Sequence, residues 1–299
     1  MTPWNQAVDT LRTVRDLIRF AVTQFSASQA YFGHGYPGPV EEASYLVLHA
    51  LGLPHEERAL WLDAQLLPAE REAALTPVRR RIEERLPAAY LTHEAWLGPF
   101  RFYVDERVIV PRSFIADALN EGLEPWIDDF GTLDRVADIC TGGGSLAILL
   151  ALKCPLADVD AVDLSADALA VAAKNVADYG LEAQVHLHQG DLFEGLLPGA
   201  YDLIVSNPPY VDAAAMAALP EEYLKEPRMA LESGADGLDH VRRLLADAPK
   251  FLKSTGLLVV EVGHQRDVLE DAFPHLPLVW LDLPAGDSYV FVLRREDLV

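Results

Sequence analysis

Apolar residues in the first part of the chain recur at intervals of three or four positions. Three segments follow this pattern, residues 11–21, 43–51 and 68–86, and a stretch containing glycine and proline at 33–39 lies between the first two. Such spacing places the apolar side chains on one face of a helix. The pattern therefore predicts a small helical bundle without a sheet over residues 1–87.

The hydrophobic pattern changes after residue 87. Short runs of apolar and aromatic residues stand on both sides of a Gly98-Pro99 pair. These runs are Tyr90-Leu91 and Trp96-Leu97 before the pair, and Phe102–Val104 and Val108–Val110 after it. Runs of this composition around a turn indicate a β-hairpin. We predict a hairpin linker over residues 88–112.

Strand and helix patterns alternate through residues 113–299. The predicted strands lie near 134–139, 158–163, 184–188, 201–206, 256–262, 277–283 and 288–294. The predicted helices lie near 144–153, 165–179, 236–253 and 265–273. This alternation is typical of a doubly wound α/β sheet. The last two strands are joined by only Pro284–Asp287, which is too short for a parallel crossover, so the pair is predicted to be antiparallel.

One predicted strand ends in a motif that can hold an amide group. The apolar run Leu203–Ser206 is followed by Asn207, Pro208, Pro209 and Tyr210. Proline has no N–H and cannot continue a central strand, so the two prolines form a stiff segment at the carboxyl edge of the sheet. There the Asn207 side-chain oxygen and the Pro208 carbonyl can accept the two hydrogens of a planar NH2 group, with Tyr210 beside them. The alternative is a plain strand end with an asparagine-capped turn.

A glycine-rich turn lies upstream of this motif. A predicted strand over Arg135–Cys140 contains Asp138 and leads into Thr141-Gly142-Gly143-Gly144 and an apolar helix. Strand, glycine turn and helix form the first unit of a nucleotide-binding fold. The turn is not the dinucleotide motif, since Ala147 replaces its third glycine, and it is not a P-loop, because no Gly-Lys-Ser/Thr follows. A flexible turn without a ligand is the alternative.

Two carboxylates follow later strands of the predicted sheet. Asp163 ends the second strand, where an acid suits the two ribose hydroxyls of an adenosine-containing cofactor. Asp191 follows the third strand, next to Leu192, and is placed to accept from an adenine amine. For Asp191 a turn-forming carboxylate is the alternative. With the glycine turn, these residues predict a nucleotide-type site.

These motifs resemble those of the class I methyltransferases that use S-adenosylmethionine, and more narrowly those of the glutamine side-chain amide methyltransferases. The resemblance covers nearly the whole chain and is carried by Phe32–Gly35, Ala89–Thr92, Tyr103–Arg107, Val110–Ser113, Asp138–Gly144, Val205–Tyr210 and Ser233–Leu238. Pro111–Ser113 and Phe32–Gly35 resemble the branch that methylates the third large-subunit ribosomal protein, whereas the release-factor branch usually carries Pro-Arg-Pro. The chain departs from the family pattern at Gly143, Ser145 and Phe114, where serine, cysteine and proline are expected.

The resemblance implies a fold, a reaction and a set of site residues. The implied fold is a doubly wound seven-stranded sheet with an antiparallel last strand, joined to a small N-terminal helical domain that recognises the protein substrate. The reaction transfers a methyl group from S-adenosylmethionine to a glutamine amide, with Asn207, Pro208 and Tyr210 as catalytic residues. The implied cofactor-binding residues are Asp138, Thr141, Gly142, Gly143, Gly144, Asp163, Asp191, Leu192 and Asn207. The implied substrate-binding residues are Asn207, Pro208, Pro209, Tyr210 and Arg112, and no metal is expected.

Two further ionisable residues each have two possible roles. Arg112 can hold a carboxylate of the substrate or cofactor, or it can form a structural ion pair. Glu261 lies within a predicted central strand, where a buried carboxylate is costly unless it is hydrogen-bonded. It can face the site or take part in a purely structural hydrogen bond.

The charge of the chain limits its partners. The chain has 46 acidic and 24 basic residues and a net charge of −22. Binding of nucleic acid depends on cationic groups that displace phosphate counterions, so direct binding to DNA or RNA is disfavoured. A basic protein substrate suits this charge, although a saline habitat would also enrich acids. The basic run Arg79–Arg81 stands next to Glu83 and Glu84 and is interpreted as the solvated face of a helix.

Cysteine usage and the N-terminus indicate a cytoplasmic protein. Cys140 and Cys154 lack metal-ligand spacing and are predicted to be buried thiols in a reducing compartment. The N-terminal segment lacks an apolar signal-peptide core. No run reaches the roughly 18 to 20 apolar residues of a membrane span. We therefore expect no membrane association; nothing in the sequence indicates the oligomeric state.

Three other functions remain open at this level. Adenine-amine methyltransferases of nucleic acids share the strand-end motif, and release-factor methyltransferases share the whole reaction. An inactive cofactor-binding protein would keep the fold alone. The charge argues against the first, and the intact Asn207 argues against the last, because a binding module has no use for paired acceptors at the strand end.

Overall fold

The computed structural model describes residues 2–283 and 289–298. Within them the chain forms two compact units. The helical unit ends at Ala95 and also includes Pro220–Lys225. The sheet unit contains Trp96–Leu219 and continues from Glu226.

Six α-helices form in the described part of the helical unit. They are α1 (Pro3–Thr10), α2 (Val14–Ser28), α3 (Pro39–Ala50), α4 (Arg58–Trp61), α5 (Pro68–Glu83) and α6 (Ala88–Thr92). The apolar faces that the sequence indicates meet in one core, where Leu17, Leu46 and Val78 are fully buried. Residues 2–87 form no strand, as the pattern predicts.

A capping box at Thr13 sets the start of α2 within the first apolar segment. Thr13 Oγ1 accepts from the Asp16 N–H at 3.2 Å, and Asp16 Oδ2 accepts from the Thr13 N–H at 3.0 Å. This reciprocal pair satisfies two N–H groups at the start of α2. Leu11 therefore lies outside α2, although its spacing fits the helical pattern.

The helical unit has an arginine at its centre. Arg81 is 1% exposed, and its guanidinium donates to Glu42 Oε1 at 2.6 Å, to Glu222 Oε1 at 3.0 Å and to the Tyr31 carbonyl at 2.7 Å. Burial raises the pKa of Glu42 to about 6, while the Arg81 charge opposes that shift. The interpretation of residues 79–81 as a solvated face is therefore wrong for Arg81, because α5 turns this side chain into the unit.

A two-stranded sheet stands where the hairpin linker is predicted, but it is shorter. It consists of β1 (Glu94–Leu97) and β2 (Phe100–Tyr103), and the boundary between the two units falls within β1. Tyr90 belongs to α6. The Val108 N–H donates to the Asp105 carbonyl, and the Val110 N–H donates to a glutamate side chain, so neither can join a strand ladder.

The main sheet has seven strands in the described residues of the sheet unit. Its elements are α7 (Ile115–Glu121), β3 (Arg135–Ile139), α8 (Ser145–Lys153), β4 (Asp158–Asp163), α9 (Ala166–Asp178), β5 (Val185–Gln189), β6 (Tyr201–Ser206), α10 (Ala213–Ala218), α11 (Asp239–Phe251), β7 (Leu252–Glu261), α12 (Arg266–Ala272), β8 (Val279–Trp280) and β9 (Val290–Arg294). The strand order is β5-β4-β3-β6-β7-β9-β8. Strands β3 to β7 are parallel, and β9 is antiparallel to both β7 and β8. This confirms the predicted doubly wound fold; the predicted connection Pro284–Asp287 lies outside the described residues.

Helices cover both faces of the main sheet. Side chains of a strand point alternately to opposite faces. Val205 accordingly packs in the apolar cluster that contains Leu150 of α8, whereas Ile204 packs in the cluster that contains Leu244 of α11. In the described ranges, no helix is long and apolar enough to cross a membrane. The central strands are therefore held from both faces, which fixes the ends of β3, β4 and β6.

The buried ion pairs of Arg81 allow a test of the helical unit. Arg81→Ala leaves Glu42 and Glu222 buried without their cation, so we expect the free energy of unfolding to fall by about 3–5 kcal/mol. Urea unfolding followed by circular dichroism measures this change. Arg79→Ala, which removes an exposed arginine of the same helix, is the control and should cost under about 0.5 kcal/mol. An equal, small loss in both variants would contradict the role of Arg81.

Candidate active site

The ends of the parallel strands bring the predicted site residues to one edge of the main sheet. Between β3 and β6 the strand order reverses, and ligands of doubly wound folds bind at such a point. A cleft opens there, with an empty space of about 1010 Å³ that includes its open mouth. Every residue that lines the cleft belongs to the sheet unit.

The glycine turn after β3 offers bare backbone to the cleft. Gly142 has a φ of +55°, and a Cβ at this position would have no neighbour within 4 Å. Gly144 has a φ of +80° and packs on α9, where a Cβ would stand 3.1 Å from the Ala172 Cβ. The two glycines thus serve different purposes: Gly144 allows close packing, and Gly142 leaves open space at the cleft wall.

Asp163 joins the glycine turn to the end of β4. Its Oδ2 accepts from the Gly142 N–H and its Oδ1 from the Ser165 N–H, both at 2.8 Å. Burial raises the pKa of this carboxyl, and the backbone hydrogen bonds oppose the shift. Each carboxylate oxygen can accept a second hydrogen bond. Because Asp163 lines the cleft, it can bind hydroxyl groups of a ligand while it holds the turn.

Asp138 supports the turn from behind. It is fully buried, and its Oδ2 accepts from the Thr141 hydroxyl at 2.6 Å and from the Ala147 N–H at 3.0 Å. Its Oδ1 is buried without a hydrogen-bond partner among the described residues. Burial raises the pKa of Asp138 to about 7. Thr141 and Gly143 line the cleft and Asp138 does not, so Asp138 contributes mainly by orienting its neighbours.

The Asn-Pro-Pro-Tyr motif leaves β6 at the cleft. Asn207 and Pro209 line the cleft, Pro208 is buried, and Tyr210 is half-buried with its hydroxyl 3.5 Å from Glu261 Oε1. The Asn207 Oδ1 atom is buried and has no hydrogen-bond partner in residues 2–283 and 289–298. An unpaired buried acceptor costs free energy unless a ligand satisfies it. The geometry therefore leaves one acceptor of the motif for an external donor.

The far end of the cleft is formed after β5. Asp191 lines it and accepts from Arg243 at 2.8 Å, and Leu192 lines it with a φ of +57°. His240 also lines this end, with its Nδ1 2.9 Å from the Ser233 hydroxyl. Burial lowers the pKa of His240, so its neutral form is favoured. This histidine was not predicted from the sequence, since a lone histidine near a helix start resembles many others.

Arg112 forms a strong ion pair in the cleft wall. Its guanidinium donates to both oxygens of Glu226, at 2.6 and 2.7 Å, and to the Val110 carbonyl at 3.0 Å. Glu226 also accepts from the Val110 N–H at 2.9 Å. Of the two roles open to Arg112, this geometry favours the structural ion pair.

A buried asparagine, Asn175, is a further residue that the sequence did not indicate. Its Nδ2 donates to the Gly143 carbonyl at 2.8 Å and to the Tyr103 carbonyl at 3.0 Å, and its Oδ1 accepts from the Tyr103 N–H at 2.7 Å. It therefore fixes the glycine turn against β2. Only three-dimensional proximity reveals this contact, because 72 residues separate Tyr103 from Asn175.

The two cysteines differ in exposure. Cys154 is buried as predicted, but Cys140 is half-buried and lines the cleft. The prediction of a buried Cys140 is wrong because β3 ends at Ile139 and Cys140 adopts a φ of +62° in the turn. In the described residues, no group of three or more histidine, cysteine or acidic side chains has the arrangement of a metal site.

Comparison with known proteins gives one family match and close relatives. Residues 111–237 match the methyltransferase small domain family. The ribosomal protein uL3 glutamine methyltransferase of Neisseria meningitidis serogroup A is 56% identical over 296 residues, which cover 99% of this chain and 97% of the relative. The protein of the same name from Bordetella pertussis is 56% identical over 288 residues, which cover 96% of this chain and 97% of the relative.

Solved structures show a shared fold at low identity. The crystal structure of the hMettl16 catalytic domain in complex with MAT2A 3′UTR hairpin 6 has a TM-score of 0.50 and 18% identity. The match covers 75% of this chain and 80% of that chain. At this identity the likeness supports the α/β methyltransferase fold and nothing about the substrate.

The cleft fits the expected S-adenosylmethionine. Gly142 leaves space where a side chain would stand, Asp163 presents a carboxylate for hydroxyls, and Asn207 has an unsatisfied acceptor. These three features suit, in turn, the amino acid part, the ribose and a group near the reacting methyl.

Gly142 allows a matched test of cofactor binding. Gly142→Val fills the cleft wall, so we expect the affinity for S-adenosylmethionine to fall at least about tenfold, or about 1.4 kcal/mol. Gly180→Val is the control: Gly180 also has a positive φ, +67°, and open space, but it does not line the cleft. Both variants bear a similar backbone strain of about 1–2 kcal/mol. Calorimetry that finds equal affinities in the two variants would remove this site.

Proposed function

The chain belongs to the ribosomal protein uL3 glutamine methyltransferase family, and from this membership we propose that it methylates the side-chain amide nitrogen of a glutamine in uL3. S-adenosylmethionine is the methyl donor. The observation that carries the proposal is the buried, unsatisfied Oδ1 of Asn207 at the cleft. A glutamine amide has two N–H donors and matches such an acceptor.

The motif can stabilise the transfer by holding the amide. An amide nitrogen is a poor nucleophile because its lone pair is delocalised, so its position must be fixed at about 3–3.5 Å from the carbon it attacks. The nitrogen becomes more positive as the new bond forms. The Asn207 oxygen and the Pro208 carbonyl then bind its hydrogens more tightly than in the ground state, which lowers the barrier.

This chemistry needs no strong base before transfer. The methylated nitrogen is acidic enough to release its proton to water. Asn207 and the Pro208 carbonyl are neutral acceptors, so they need not change their protonation state during a cycle.

The proposed cofactor contacts follow from the cleft. Of the glycine turn, Thr141, Gly142 and Gly143 line the cleft and would face the methionine part, whereas Gly144 packs on α9. Asp163 would accept from the ribose hydroxyls. Asp191 and Leu192 would meet the adenine. The bound cofactor supplies an electrophilic methyl group on sulfur.

Arg112 has a positioning role in this proposal. Its bidentate pair with Glu226 holds Arg112 in the cleft wall beside the predicted substrate position. A bidentate arginine–carboxylate pair fixes geometry as well as charge. We therefore propose that Arg112 shapes the wall of the substrate-binding site. Pro209 and Tyr210 belong to the same proposed group of substrate-binding residues.

The helical unit is proposed to recognise the protein substrate. It is a separate compact unit with its own core, and the net charge of −22 favours a basic partner. We propose that the reaction takes place in the cytoplasm, because ribosomal proteins are made there. The same charge disfavours bare nucleic acid as the substrate.

Asn207 should affect turnover far more than cofactor affinity. Asn207→Ala removes the side-chain acceptor, and we expect the rate to fall by a factor of about 100 or more. Calorimetry should give a cofactor affinity within about fivefold of the wild type, since one neutral contact is worth about 1 kcal/mol at most here. Asn120→Ala, an exposed asparagine of α7, is the control. Turnover by Asn207→Ala near that of this control would sink the mechanism.

The substrate is tested directly with labelled S-adenosylmethionine. Purified uL3, release factor and ribosomal RNA are incubated separately with the enzyme, and mass spectrometry locates the label. We expect one methyl group on a glutamine of uL3. The rate of association between the enzyme and uL3 should fall as the salt concentration rises, because screening weakens the attraction between an acidic enzyme and a basic protein. Label in release factor alone would keep the chemistry and change the substrate, whereas label in RNA would overturn the proposal.

A further inference from the structure

A buried glutamate lies behind the Asn-Pro-Pro-Tyr motif. Glu261 is the last residue of β7 and is 1% exposed. Strands β6 and β7 are parallel, and Ser206 pairs with Val260. The next residues along the two strands, Asn207 and Glu261, therefore reach the end of the sheet at the same level. The proposed methyl transfer involves no atom of Glu261.

The Glu261 carboxylate joins two segments that border the cleft. Its Oε2 accepts from the Ser113 hydroxyl at 2.6 Å and from the Phe114 N–H at 2.8 Å. Its Oε1 lies 3.5 Å from the Tyr210 hydroxyl. One side chain thus connects the last residue of the motif to the segment that follows Arg112 in the cleft wall.

Two glycines pack closely against Tyr210. A Cβ on Gly263 would stand 2.6 Å from Cε2 of the Tyr210 ring, and Gly263 has a φ of +52°. A Cβ on Gly237, with a φ of +79°, would overlap the Tyr210 carbonyl oxygen. The two glycines allow the chain to enclose Tyr210 closely. The hydroxyl end of the same ring lies 3.5 Å from Glu261 Oε1.

This carboxylate reduces stability at neutral pH. Burial raises the pKa of Glu261 to about 7, while the bonds from Ser113 and Phe114 and the charge of Arg112 oppose the shift. An unfolded glutamate has a pKa of about 4.3. Between these values the folded protein binds more protons than the unfolded chain, so the contribution of Glu261 to stability falls as pH rises from about 4.3 to about 7. A neutral side chain of the same size would avoid this loss.

We propose that Glu261 is a positioning residue for methyl transfer. By holding the Tyr210 hydroxyl and the Ser113–Phe114 segment on one carboxylate, it fixes the acceptors of Asn207 and Pro208 relative to the cleft. This inference rests on the proposed function, since the placement of these acceptors controls the rate only if an amide is the group they hold.

The first test compares turnover with cofactor affinity. Glu261→Gln keeps the volume but replaces one acceptor oxygen by an NH2 group, so we expect turnover to fall about tenfold or more while the affinity for S-adenosylmethionine stays within about twofold. Tyr210→Phe should slow turnover by a similar factor, and it should add little in the Glu261→Gln background because both changes break one contact. Glu182→Gln, an exposed glutamate of the sheet unit, is the control.

The second test does not depend on activity. Hydrogen exchange in the peptide that contains Tyr210–Asp212 should become at least about tenfold faster in Glu261→Gln, while exchange in β4 stays unchanged. The melting temperature of Glu261→Gln should also rise relative to that of the wild type as the pH increases from about 4.3 to about 7. If the wild type methylates no protein, the proposed function fails, and the exchange data still decide whether Glu261 holds the motif.

Several results would overturn the positioning role. One is that Glu261→Gln has the same turnover and the same hydrogen-exchange rates as the wild type. Another is an equal loss of cofactor affinity and turnover, which would show a general structural defect. If Glu261→Gln does not fold, Tyr210→Phe and Ser113→Ala each remove one donor to the carboxylate, and wild-type turnover in both variants would refute the proposal.

Discussion

The parallel pairing of β3 with β6 is the constraint on which the site depends. Ile139 and Ser206, the last residues of the two strands, are paired, and the buried Ser206 hydroxyl donates to the Ile139 carbonyl at 2.8 Å. The glycine turn and the Asn207–Tyr210 motif therefore start side by side. Pro208 and Pro209 prevent β6 from continuing past this level. A shift of one residue in this pairing would separate the groups proposed to hold the cofactor from those proposed to hold the amide.

Buried and half-buried carboxylates hold the segments around the cleft. Each accepts from a backbone N–H of a loop, a turn or the first turn of a helix, where no strand ladder provides a partner. The pairs are Asp138 with the Ala147 N–H, Asp163 with the Gly142 and Ser165 N–H groups, Glu226 with the Val110 N–H, and Glu261 with the Phe114 N–H. Burial of a carboxylate is costly, and hydrogen bonds from backbone N–H groups offset that cost. The cleft wall thus gains a fixed shape from side chain to backbone bonds where the sheet cannot provide it.

The sequence predicted those features that depend on local chemistry. Proline ends a strand whatever position the strand has in the sheet, and glycine is favoured where φ is positive. The motif and the turn could therefore be predicted without a structure. The burial of Arg81 was not, because its partner Glu222 is 141 residues away and the neighbouring Arg79 and Arg80 are exposed. The pairing of Arg112 with Glu226 was not predicted for the same reason, because Glu226 lies 114 residues further along the chain. Short-range patterns cannot show which of several charges is enclosed by a fold.

The charges near the cleft are divided in a way that suits methyl transfer to an amide. Asp163 and Asp191 stand on the side proposed for the ribose and adenine, whereas the motif supplies only neutral acceptors. An aspartate in place of Asn207 would bind an amide strongly before the reaction and would itself compete for protons. A neutral carboxamide binds the amide weakly at first and more strongly as positive charge develops on nitrogen. Rate enhancement depends on that difference, so the neutrality of Asn207 is itself part of the proposed chemistry.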